Sequence, residues 1–132
     1  WQRTIDVCLT GPFLCSREAM KIMKRQGGGR IINNGSIAAL MPRVTSAHYS
    51  SAKMGLVALT KTLALAGRDP AISASCLHPG NMATAQMEGM EHEPMMAVGD
   101  LVLAVVTMAA LPAPVNLLES VVLPVAQPFL GR

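Results

Sequence analysis

Two short runs, residues 30–36 (Arg-Ile-Ile-Asn-Asn-Gly-Ser) and residues 71–77 (Ala-Ile-Ser-Ala-Ser-Cys-Leu), constrain this chain more than any other feature. Runs of this length and make-up, closed by glycine or proline, read as buried strands. Helix-length stretches alternate with them. Over residues 4–26, Ile5, Leu9, Phe13, Met20 and Met23 form one apolar stripe, and over residues 46–66, Leu56, Leu59 and Leu63 recur at helical spacing. Ala52, Gly55 and Ala58 leave a flank of small residues that permits close helix packing. Gly27-Gly28-Gly29 predicts a stop and a tight turn after the first helix; Gly67 and Pro70 end the second. A third helix is expected over residues 100–111, introduced by Asp100 and stopped by Pro112 and Pro114, then a last strand over residues 119–125. The alternation predicts an α/β fold, a small parallel sheet of about three strands flanked by helices. Residues 1–132 read as one domain, long enough to bury a core.

Composition narrows the function. Half the residues are apolar and 14% are charged, which argues against disorder. The net charge of +3 is spread thinly. Its one cluster, Lys21, Lys24, Arg25 and Arg30, sits where a helix C-terminus favours cations, and aromatic residues are too few to stack bases, so no nucleic-acid partner is expected. The longest apolar run, residues 101–111, is too short to span a bilayer. A cytoplasmic protein without a membrane partner is the expectation. Cys8, Cys15 and Cys76 form no C-x-x-C pair, and His48, His78 and His92 have no ligand spacing, so no metal site is expected. Cys8 and Cys15 share a helical face and read as small core residues.

The chemistry resides in Tyr49-Ser50-Ser51-Ala52-Lys53, with Ser36 thirteen positions upstream. A phenol and an ammonium four residues apart share one helix face. A cation beside a phenol stabilises the phenolate and eases its loss of a proton. The Ser36 hydroxyl, at the end of the first strand, could hold a substrate oxygen against that phenol. Downstream, the second strand runs into His78-Pro79-Gly80-Asn81-Met82-Ala83-Thr84.

Serine at a strand end, Tyr/Lys on the next helix, then strand-Pro-Gly-x-x-x-Thr is an order of parts that resembles the short-chain dehydrogenase/reductase family. The likeness runs from about Asp6 to the end of the chain, and the chain looks like the C-terminal, catalytic half of a member. The glycine-rich turn with which such proteins begin has no counterpart here, since a strand follows Gly27-Gly28-Gly29 where that turn requires a helix. The resemblance implies a partial Rossmann-like, doubly wound fold. It implies NAD or NADP as cofactor, the choice left open, and a small-molecule alcohol or ketone as substrate. By the same resemblance Ser36, Tyr49 and Lys53 are catalytic, and Tyr49, Lys53, Pro79, Gly80, Met82 and Thr84 meet the cofactor. Residues 86–96, with Met87, Met90, Met95 and Met96, match the substrate lid or anchor a loop in the core. Where members carry an asparagine on the first helix, this chain has Cys8. A homodimer or homotetramer is implied for the complete protein, and the chain alone is expected to be inactive. The first strand would have a bare edge, which invites association. The alternative is a catalytically silent module kept for dimerisation through the first two long helices.

Overall fold

The computed structural model describes residues 1–84 and 93–128. Helix α1 (Gln2–Ile5) passes through a π-helical segment (Asp6–Thr10) into α2 (Gly11–Gln26). Strand β1 (Gly29–Asn34), the short helix α3 (Ile37–Leu40), α4 (Ala47–Ala66), β2 (Ile72–Pro79), α5 (Val98–Ala110) and β3 (Glu119–Val122) follow. The strands form one parallel sheet in the order β1-β2-β3, with Gly29 opposite Ile72 and Cys76 opposite Glu119. This is the Rossmann-like arrangement expected, with helices on both faces of the sheet.

Strand periodicity divides the core between those faces. Ile31, Ile72 and Ala74 pack with Met20 and, beside them, Ala19, Met23, Leu63 and Ala64 of α2 and α4. On the other face Leu77 joins Met96, Leu101 and Met108, with Ile32, Val105 and Val122 against them. The first helix ends at Gly27, whose φ of 82° is left-handed and whose N–H reaches the Met23 carbonyl.

The π-helical segment corrects the reading of the first helix as one continuous stripe. Pro12 has no N–H to offer the carbonyl four residues back, that of Cys8, and its ring crowds that carbonyl. The widened turn relieves the crowding, and the Gly11 N–H bonds the Asp6 carbonyl five residues back. Everything beyond it is rotated. Ser16 and Met20 therefore face the core, while Phe13, 45% exposed, and Cys15 do not. Leu9 still packs on Gly55 as the small-residue flank predicts: a Cβ there would lie 2.8 Å from Leu9 Cδ2.

Long polar tethers fix the layers. Arg30 leaves the basic cluster assigned to it and donates from Nη2 to the carbonyls of Leu111, Pro112 and Val115 at 3.1–3.3 Å, which satisfies groups at the C-terminus of α5. Asp100 accepts from the Ala97 N–H at 3.2 Å and so caps α5 two residues inside its start. Asn33 donates to Thr60 Oγ1 at 2.8 Å, and Thr60 donates to the Leu56 carbonyl at 2.7 Å, all of it buried. Thr60→Val keeps the shape but strands the Asn33 amide, so urea unfolding is expected to show a loss of about 1–3 kcal/mol.

Candidate active site

β1 and β2 both end at the same edge of the sheet, and their carboxyl ends open into a cleft of 380 Å³. In parallel sheets this edge is where ligands bind, because helix N-termini and free backbone groups converge there. Ser36 and Tyr49 line the cleft, with Pro79, Gly80, Met82 and Thr84 on its other side. Arg43, Ser46 and Asn81 complete the rim. Three hollows of 710, 700 and 530 Å³ are larger, one beside the end of α4, one along the open edge of β1 and one beside the Gly27–Gly29 turn. Size does not decide between them; the convergence of hydroxyls does.

Local sequence places each group. Ser36 lies two residues beyond the end of β1 and caps α3, its Oγ accepting from the Ala38 N–H at 3.1 Å. Ser46 opens α4: its Oγ donates to the Arg43 carbonyl at 2.7 Å, accepts from the Arg43 N–H at 3.1 Å and lies 2.9 Å from Ser50 Oγ. Tyr49 thus enters the cleft from the first turn of α4, half-buried.

Lys53 lies one turn further on, as the spacing predicts, with Nζ 5.6 Å from the Tyr49 ring centroid. It does not line the cleft. It is 9% exposed and donates to the Asn34 carbonyl at 2.7 Å, behind the phenol. Burial draws its pKa down from the ordinary 10.5, and the nearby thiols of Cys8 and Cys76 oppose that shift. The sign of the consequence is fixed. Between the lowered pKa and 10.5 the folded chain binds fewer protons than the unfolded chain, so this group makes stability rise with pH across that window. Wild type is therefore expected to gain stability relative to Lys53→Met as the pH is raised toward 10.5, read by urea unfolding of both. A constant difference across that range contradicts a desolvated ammonium.

The far wall is held by contacts the sequence did not announce. Asn81 donates to Glu93 Oε2 at 2.6 Å, and Arg43 reaches the same oxygen at 3.2 Å. The buried Gln127 accepts from the Asn81 N–H at 2.8 Å, and its amide oxygen lies so close to Gly80 that a Cβ there would collide with it. Ala83 and Met96 pair, as do Met96 and Asn81, through backbone bonds of 3.0 and 3.1 Å. Met96 is core, packed on Leu77, and Met95 is half-buried. Met87 and Met90, read with them as substrate lid or loop anchor, lie outside the described residues.

A hydroxyl pair at the mouth of a cleft, with an ammonium behind the phenol, suits proton transfer to or from an oxygen. Known proteins of similar sequence and structure agree with the fold. The sequence model of the family described as short chain dehydrogenase matches residues 1–94. A 3-oxoacyl-[acyl-carrier-protein] reductase from Synechocystis is 40% identical over 96 residues, 73% of this chain and 39% of that protein. A trans-4-hydroxycyclohexanecarboxylate dehydrogenase from Sinomonas cyclohexanicum is 41% identical over 91 residues, 69% of this chain and 35% of that one. Among solved structures, an acetoin dehydrogenase from Salmonella typhimurium superposes with a TM-score of 0.83 at 27% identity, covering 94% of this chain and 54% of its own. The chain belongs to the short chain dehydrogenase family, and it spans less than half the length of these sequence relatives and about half that of the structure. No helix among the described residues is long and apolar enough to cross a membrane.

Proposed function

We propose that this chain carries the acid–base end of an NAD(P)-dependent oxidoreductase that interconverts an alcohol and a ketone. The observation that supports the reading best is the gathering of Ser36 and Tyr49 on one cleft with Pro79, Gly80, Met82 and Thr84. Tyr49 protonates the carbonyl oxygen in reduction and takes the proton back in oxidation. Ser36 orients that oxygen. Lys53, its charge 5.6 Å from the ring, favours the phenolate, and by the family resemblance its ammonium would hold a cofactor ribose. The donor set suits the nicotinamide end of a dinucleotide: Thr84 offers a hydroxyl, and the backbone at Pro79, Gly80 and Met82 offers amide and carbonyl groups. The nicotinamide supplies or accepts the hydride when bound. Names such as 3-oxoacyl reductase, hydroxycyclohexanecarboxylate dehydrogenase and acetoin dehydrogenase are those of relatives acting on carbonyl or hydroxyl carbons, and they favour a small alcohol or ketone here. The complete protein is a cytoplasmic homodimer or homotetramer in this reading, and the 132-residue chain alone is inactive because hydride transfer needs the nicotinamide more firmly fixed than this cleft can hold it.

Binding of NADH and NADPH to the purified chain, by nicotinamide fluorescence and calorimetry, tests this. Saturable binding weakened by Lys53→Met is expected. A folded sample that binds neither at millimolar concentration contradicts a usable cofactor site in this chain. A second reading, a silent dimerisation module, is favoured by one observation: Phe13, Leu14 and Ile22 on α2 and Met54 and Leu65 on α4 are 43–61% exposed. A stable dimer burying these faces, without cofactor affinity, is the outcome that selects it.

A further inference from the structure

His78 closes β2 one residue before Pro79 and is fully buried. Its Nδ1 lies between two groups of one residue, 2.9 Å from the Ser36 carbonyl oxygen and 3.3 Å from the Ser36 amide nitrogen. Its Nε2 lies 3.2 Å from Glu119 Oε1 on β3, within ion-pair reach but without the alignment of a hydrogen bond. The other Glu119 oxygen accepts from Lys61 Nζ of α4 at 2.9 Å. That bond, more than the imidazole, holds the Glu119 carboxyl below the ordinary carboxylate range, so it is an anion at neutral pH. The imidazole therefore bridges β3 and the turn that presents Ser36 to the cleft. Gly35 makes the approach possible: a Cβ there would stand 2.8 Å from Nδ1 and 2.9 Å from both Cys76 Sγ and the Leu77 carbonyl oxygen.

We propose that His78 is a positioning residue for Ser36, and that its protonation decides which backbone group of Ser36 it holds. A neutral imidazole has one N–H and one acceptor nitrogen. With the proton on Nδ1, the Nε2 lone pair would face the Glu119 carboxylate, and repulsion disfavours that tautomer. Of the two neutral forms, the one protonated on Nε2 keeps the attraction of the charged Glu119, and its Nδ1 accepts from the Ser36 N–H and draws back from the Ser36 carbonyl oxygen, which lies 2.9 Å away here. The cation carries an N–H on both nitrogens, pairing by charge with Glu119 on one side and donating to the Ser36 carbonyl on the other. One proton thus exchanges the Ser36 N–H for its C=O as the partner, and the two peptides that flank Ser36 and aim its side chain move with it. Glu119 and, through it, Lys61 bias the ring from β3 and α4. The Cys76 thiol lies beside it on β2, and Lys53 of α4 acts electrostatically on that thiol.

The consequence for catalysis rests on the role proposed for Ser36; the contact does not, so it is tested on the ring itself. In ¹⁵N-labelled chain, long-range proton–nitrogen correlations assign the tautomer while the pH is lowered stepwise over the range in which the chain stays folded. The expected result is Nε2–H at the alkaline end, then protonation with a shift of the Ser36 amide resonance at the same midpoint. A neutral ring protonated on Nδ1, or a Ser36 amide that stays still while His78 titrates or His78 that does not titrate at all, overturns the proposal. Variants give a second readout. His78→Asn can still reach Ser36 and is expected to keep the protection of its amide from exchange, whereas His78→Leu loses roughly fivefold, the factor for one hydrogen bond. Equal protection in both variants also overturns it. Failure of cofactor binding leaves these outcomes unaffected, so the two readings fail separately.

Discussion

Tyr49→Phe is expected to lower carbonyl reduction by about 10²–10⁴-fold in any longer form of the protein that catalyses it, with cofactor affinity left within about twofold. The substitution removes one oxygen and keeps the ring. The apolar body of the side chain still fills its place on the cleft wall, and the Lys53 ammonium still has an aromatic ring 5.6 Å away. Only the proton donor goes, and a donor acts in the transition state, so the loss belongs in kcat more than in KM. Lys53→Met should behave differently. It removes the charge that favours the phenolate and the ribose hydrogen bond proposed for it, so kcat is expected to fall and cofactor binding to weaken together. Single-turnover rates beside cofactor titrations separate the two patterns. If Tyr49→Phe retains full turnover, the proton passes by another route and the cleft has been misread.

Much of the fold was legible in the sequence because its elements carry local signals. The short run with Ile31 and Ile32 before Asn34 and the apolar and small-residue run before His78 each became a strand, and Gly27 took the left-handed conformation that a glycine stop implies. Boundaries moved where a local rule competed with sheet pairing. β2 continues through Pro79, since a proline needs only to be spared a ladder N–H, and it pairs with Val122 at its last position. β3 stops at Val122, short of Pro124. The widened turn at Asp6–Thr10 had a signal too, in the Pro12 ring inside a helical stretch. Overlooking it placed Phe13 and Cys15 in the core, where the rotated helix does not put them.

The cleft was legible to a different depth on its two sides. Ser36 and Tyr49 are separated by one loop and one helical turn, and residues 79–84 follow directly from a strand, so spacing alone brings them to one edge. The wall behind them is built from partners far apart in sequence: Arg43 with Glu93 across 50 positions, and Asn81 with Gln127 across 46. Neither pairing leaves a periodic trace. His78 was visible as a residue but not as a contact, because spacing recognises metal ligands and says nothing of an imidazole 2.9 Å from a backbone oxygen 42 positions away.

Gly67→Ala is expected to destabilise the chain by about 2–3 kcal/mol, a sign opposite to the one its backbone suggests. Gly67 was read as a glycine cap, yet its φ of −87° and ψ of −6° suit any residue. At such a site alanine ordinarily gains about 0.4–1 kcal/mol by restricting the unfolded chain. Space decides the outcome instead. The chain doubles back within five residues: the Ile72 N–H bonds the Gly67 carbonyl at 2.8 Å, and a Cβ on Gly67 would run into the Ile72 carbonyl oxygen, with Ile72 Cβ 3.1 Å away. That obstacle is backbone at the first residue of β2 and cannot rotate aside. Relief requires moving the strand whose far end carries His78 and Pro79. Ala71, within the same turn, has a φ of 53°, where a side chain is strained, so Ala71→Gly is expected to cost nothing or to gain roughly 0.5 kcal/mol. Urea unfolding of both variants measures the pair. If Gly67→Ala stabilises and Ala71→Gly destabilises, backbone entropy governs this turn, and the close approach of α4 to β2 is looser than these distances require.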